Sequence, residues 1–71
     1  MTIGQLHYVI EIVKAGSISA AANQLFISRT VLSSAVSRLE DELGRKLFVR
    51  TSRGIHLTPF GKLFLDHILE P

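Results

Sequence analysis

Apolar residues recur along this chain at two periods, and the change of period divides it. Ile3, Leu6, Val9, Ile10 and Val13 follow the spacing of one helix face. They predict a first helix over 3–15, stopped by Gly16 in a C-terminal capping role. In the break GSIS, Ser17 or Ser19 suits the cap of a second helix, because a serine hydroxyl accepts the free amide hydrogens of a first turn. That helix is expected over 20–25, and Ala20, Ala21 and Ala22 permit close approach of a neighbour. Phe26 and Ile27 form a short turn, and Ser28 is the next cap.

From Arg29 the helical period resumes. Leu32, Ala35, Val36, Leu39 and Leu43 form one stripe, and Gly44 ends the helix. The opposite face carries Thr30, Ser34, Ser37 and Asp41, with Ser33 and Arg38 at its edges. Solvated helix faces ordinarily carry Lys and Glu. Small hydroxyl residues have only middling helix propensity, so a row of them asks for a reason.

The period then shortens. LFVR, TSRG and IHL read as strand, turn and strand, with Leu47, Val49, Ile55 and Leu57 on the inward face and Gly54 at the turn. A last helix is expected over 59–69, capped by Thr58 with Pro59 at its first position. Phe60, Leu63, Phe64 and Ile68 give it one apolar side, and Gly61 is unfavourable in its first turn. Leu65 and Leu69 carry the apolar character further round, so Leu65, Ile68 and Leu69 are expected to bury in a dimer. Two helices joined by a short turn and followed by a two-stranded wing describe a winged helix-turn-helix, mainly α with a small β-hairpin.

This architecture gives the hydroxyl face a use. The DNA major groove is about 12 Å wide, so a helix enters it best when its leading face is small. Ser and Thr hydroxyls bond phosphates and base edges, and the amide end of a helix favours phosphate. Ser28, Arg29 and Thr30 stand at that end. Arg29 offers a two-pronged donor to guanine or to phosphate. Arg50 and Arg53 flank the wing turn, directed at the backbone or a minor groove.

Composition narrows the alternatives. Seventy-one residues form one domain at most, and 46% apolar content is enough for a small core. With no cysteine, disulfides and thiolate metal sites are excluded, which fits a reducing cytoplasmic compartment. No apolar run is long enough to span a bilayer. The net charge is only +2, yet Arg29, Arg38, Arg45, Lys46, Arg50 and Arg53 concentrate six of the eight basic residues in one stretch. Charge hints at a polyanion and does not establish one. His7, His56 and His67 fall in different elements, while Glu40, Asp41 and Glu42 are consecutive and fan apart on a helix. Neither set builds a catalytic or metal centre, so no enzyme activity, cofactor or metal is expected in this fragment. A winged helix that binds protein would instead present an apolar exposed face on the third helix.

The stretch GSISAAANQLFISRTVLSSAVSRLEDELGRKLFVRTSRGIHLTPFG resembles the DNA-binding domain of LysR-type bacterial transcription regulators. SAAANQLFIS, LEDELGRKLFVRT and LTPFG, in that order, are its most specific parts, and IGQLHYVIEIVKAGS extends the likeness over nearly the whole chain. The resemblance implies a homodimer that reads a pseudo-palindromic operator. Residues 1–58 would be the winged domain and 59–71 the start of a linker helix that pairs with its mate. An effector-binding domain sensing a small molecule would follow, absent from this chain. By the same likeness, the DNA contacts fall on Ser28, Arg29, Thr30, Ser33 and Ser34 in the recognition helix, and on Arg50 and Arg53 in the wing. Ser37 and Arg38 join them as residues on or beside the polar face. The chain departs from the family pattern at Arg29-Thr30, where Gln-Pro is common, and at Ser34 and Ser37, where basic residues are common. A molybdate-responsive regulator's N-terminal domain has a similar pattern.

Overall fold

The computed structural model describes residues 1–69, the last of these by its backbone alone. Helix α1 (Ile3–Ala15) is followed by α2 (Ile18–Leu25) and α3 (Arg29–Leu43). Strands β1 (Phe48–Thr51) and β2 (Gly54–Leu57) form an antiparallel hairpin, and α4 (Pro59–Leu69) closes the order. The architecture is the winged helix-turn-helix expected from the sequence. Helix α2 begins two residues earlier than its alanines indicated, because Ser17 rather than Ser19 is the cap and accepts from the Ala20 amide at 3.1 Å.

The helix ends follow local chemistry. Thr2 and Gln5 form a reciprocal capping box at the start of α1, and Gly16 closes it in the left-handed conformation at φ 79°. Ser28 accepts from the Val31 amide at 3.0 Å to open α3, and Gly44 ends it at φ 71°. At the end of α2 the left-handed position is taken by Phe26 at φ 59°, with its ring almost wholly in solvent.

Val9, Ile12, Ala21, Ala22, Leu32, Val36, Leu39, Leu47, Phe48 and Leu65 make the core. Four expectations are corrected here. The buried face of α1 centres on Val9 and Ile12, while Ile3 is 86% exposed and Val13 also faces solvent. Ile3 overhangs the first turn, and Val13 is rotated away from the face that meets α2 and α3. In the wing, Phe48 is buried and Val49 is exposed, because the ladder starts at Phe48, paired with Leu57. Leu47 precedes the strand and points inward from the loop, so the alternation is offset by one residue. Leu63 is exposed on α4, leaving Phe60 and Phe64 half-buried with ring centroids 6.1 Å apart. Leu65, expected at a dimer contact, is only 6% exposed within a single chain. It serves the protomer's own core and has no surface left for a partner.

Two polar clamps fix the wing against the helices. The Glu40 carboxylate, buried at the end of α3, accepts from the amides of Leu47 at 2.7 Å and Phe48 at 3.2 Å. Thr58 donates its hydroxyl to the Lys46 carbonyl at 2.7 Å and accepts from the Gly61 amide at 2.9 Å. Gly61 thereby acquires a reason: a Cβ there would lie 2.3 Å from the Leu47 carbonyl oxygen. Only glycine allows this approach of α4 to the loop before β1. Gly54, at φ 119°, brings the wing turn close to the corner between α1 and α2, where an added Cβ would sit 3.1 Å from the Gly16 carbonyl.

Candidate nucleic-acid interface

Leu32, Val36 and Leu39 bury one face of α3, which turns Thr30, Ser34, Ser37 and Asp41 outward. Ser33 is half-buried at the margin nearer the wing. Helical geometry places Arg38 on the opposite margin, exposed. The face is therefore a shallow strip of hydroxyls bordered by side chains of different reach.

Beside this strip runs an open cleft of about 620 Å³. One wall is the start of α2, through Ser17, Ile18 and Ser19. Its floor is α3, through Arg29, Thr30, Ser33, Ser34 and Ser37. The far wall is the wing, through Arg50, Thr51, Gly54 and Ile55. Arginines are the only charged residues that line the cleft among the described residues, so its field is positive.

Both arginines are held. Arg29 Nη1 donates to Ser19 Oγ at 3.3 Å, drawing the guanidinium from the start of α3 back toward α2. Arg50 Nη2 donates to Ser33 Oγ at 3.3 Å, linking wing to helix. Arg53 sits at the exposed hairpin turn, outside the cleft, where its amide donates to Thr51 Oγ1 at 3.2 Å. Ser28 also lies outside the cleft lining, with its hydroxyl engaged as the α3 cap. Thus six of the nine residues expected at the interface line one cleft: Arg29, Thr30, Ser33, Ser34, Ser37 and Arg50. Ser28, Arg38 and Arg53 stand around it.

Ser17, Ser19 and Thr51 also line the cleft, although no local sequence signal marks them as interface residues. The serines of GSIS read in the sequence as caps, and one of them is. Nothing local marks Ser19 as facing Arg29, ten residues away. On α4, Ile68 is half-buried, and the Leu69 side chain lies outside the described residues. Arg45 places its guanidinium 5.5 Å from the centroid of the Phe60 ring, a structural contact remote from the cleft.

The helix pair, its short turn and the adjoining wing define the chain as a winged helix-turn-helix domain of the kind found in bacterial regulators. A family model described as bacterial regulatory helix-turn-helix protein, lysR family, matches residues 3–62, and the chain belongs to that family. It is 44% identical over 66 residues to the HTH-type transcriptional regulator TfdT of Cupriavidus pinatubonensis (strain JMP 134 / LMG 1197), covering 93% of this chain and 29% of that protein. The nitrogen assimilation regulatory protein nac of Escherichia coli (strain K12) is 40% identical, over 94% of this chain and 22% of its own length. Among solved structures, a complex of the CbnR DNA-binding domain with DNA superposes with a TM-score of 0.87 at 39% identity, covering 94% of this chain and 77% of that one. The BenM DNA-binding domain bound to benA site 1 DNA gives 0.88 at 36% identity, with 94% and 78% covered. The chain thus spans under a third of the length of these curated relatives and most of the length of the isolated domains. No helix among the described residues is long and apolar enough to cross a membrane.

Proposed function

We propose that this domain binds double-stranded DNA in a sequence-specific manner and regulates transcription. The observation that carries this reading is the cleft, in which a strip of small hydroxyl side chains on α3 lies beside two arginines and the wing. The strip enters the major groove, and Thr30, Ser34 and Ser37 meet base edges or phosphates there. Arg29 and Arg50 engage phosphates at the margins, Ser28 adds its position at the α3 start, and Arg38 reaches the strand opposite the wing. Arg53, at the wing tip, addresses the neighbouring backbone or minor groove. Relatives solved as DNA-binding domains on DNA support the duplex-binding reading.

In a protein of the relatives' length, the domain acts within a bacterial, cytoplasmic homodimer on a pseudo-palindromic operator, under control of a small-molecule effector. Residues 1–58 are its winged domain, and α4 begins the linker helix, which meets its mate through Ile68. The test is selection of binding sites from random duplex DNA, followed by titration over a range of salt. Roughly four to six phosphates per protomer give a slope of log affinity on log salt of about −4 to −5. Absence of an enriched motif, or affinity indifferent to salt, refutes the proposal.

A further inference from the structure

We propose that Ser19 and Ser33 are positioning residues, acting on DNA through Arg29 and Arg50 instead of reading bases themselves. This rests on the duplex-binding reading above. The two serines differ from the rest of the hydroxyl strip. Thr30, Ser34 and Ser37 lie in the exposed strip, whereas Ser19 and Ser33 each accept a guanidinium hydrogen at 3.3 Å.

The chemistry of a serine hydroxyl makes this a useful pairing. Its oxygen accepts the arginine N–H while its own hydrogen stays free to donate. The guanidinium has five N–H donors and gives one to the serine. The guanidinium keeps its other four N–H donors, held in place, for a backbone phosphate. Geometry decides the division of labour. Arg29 leaves the first turn of α3 but is tied back to α2, away from the outward strip that would meet bases. Arg50 leaves β1 and is tied to the margin of α3, so the wing and the recognition helix engage the duplex as one surface. A free arginine at either position would have to be ordered on binding, at about 0.5–1.5 kcal/mol for a side chain of this kind. The hydroxyls do that ordering beforehand.

Double-mutant cycles on the selected duplex test this, with affinity read by fluorescence anisotropy and folding checked by thermal melting. Ser33→Ala should weaken binding about threefold to tenfold, in line with the cost of ordering one arginine. In an Arg50→Ala background the same change should alter affinity by less than about twofold, the scatter of independent sites. Ser19→Ala should behave likewise against Arg29→Ala. Ser33→Thr, which keeps the hydroxyl, should restore affinity. Base preference should stay unchanged at every position in all the serine variants. Fully additive effects, or relaxed preference at one base pair, overturn the positioning role while leaving DNA binding intact. Failure of the unmodified chain to bind any duplex overturns both.

Discussion

Glu40 holds the amides of Leu47 and Phe48 with one carboxylate oxygen, Oε2, at 2.7 and 3.2 Å. The residue is buried, and Lys46 Nζ lies 3.9 Å from its other oxygen at the surface. This contact sets where the wing leaves α3, and so the width of the cleft between them. Glu40→Ala would leave two inward-facing amides without an acceptor, at about 1–3 kcal/mol for each unsatisfied group. The expected loss is about 2–6 kcal/mol in urea unfolding. Glu40→Gln keeps an acceptor and should lose less. Equal stability of the alanine variant and the parent would show that the wing needs no such anchor.

Helix propensity and packing make opposite forecasts for Gly61. Alanine is favoured over glycine inside a helix by about 1 kcal/mol. Its Cβ would nonetheless collide with the Leu47 carbonyl. Gly61→Ala should therefore destabilise the domain, by about 1–3 kcal/mol as overpacking does. Gly4 is the control, since a Cβ there meets only Thr2 Oγ1 at 3.7 Å. Gly4→Ala should be neutral or stabilising. Denaturation midpoints of the two variants should move in opposite directions.

Phe26 has 94% exposure and a left-handed backbone at φ 59°, so little packing offsets its conformational penalty. That penalty is about 1–2 kcal/mol for a residue with a Cβ. Asparagine tolerates the same conformation through its short polar side chain. Phe26→Asn should raise stability by about 0.5–1 kcal/mol, seen as a higher melting temperature. A drop would mean that the ring contributes contacts its exposure does not reveal.

Ser37 faces outward from α3 and lines the cleft, so a charge there reports on the partner. Ser37→Glu places a carboxylate where DNA phosphates are proposed to approach. Like charges at an interface cost several kcal/mol, so affinity should fall about tenfold or more. The melting temperature should barely change. Undiminished binding would move the duplex off this face of the helix.

The boundaries of α1, α3 and α4 were legible because capping residues and helical periodicity agree there. Ser28 and Thr58 each accept an amide of the turn that follows, a relation confined to three residues of sequence, and Gly16 closes α1 where the sequence marks its end. The hydroxyl strip was legible for the same reason, since burying Leu32, Val36 and Leu39 obliges Thr30, Ser34 and Ser37 to face outward. Phase was harder to read than period. Alternation in the wing is real, but nothing local says that the ladder begins at Phe48, which reverses the facing of Val49. Ile12 is not marked by the period of α1, because two apolar stripes compete on that helix and only its neighbours in space choose between them.

The sequence by itself determined the order of elements and the character of the recognition helix, because short-range spacing and capping specify both, while its motifs carried the resemblance to the family. Tertiary structure decided what separate segments do to one another. It turned Leu65 inward, made Gly61 a point of contact, placed Glu40 under the wing, and joined Ser19 to Arg29 and Ser33 to Arg50. Each of these depends on the distance between residues remote in the chain, which local periodicity does not encode.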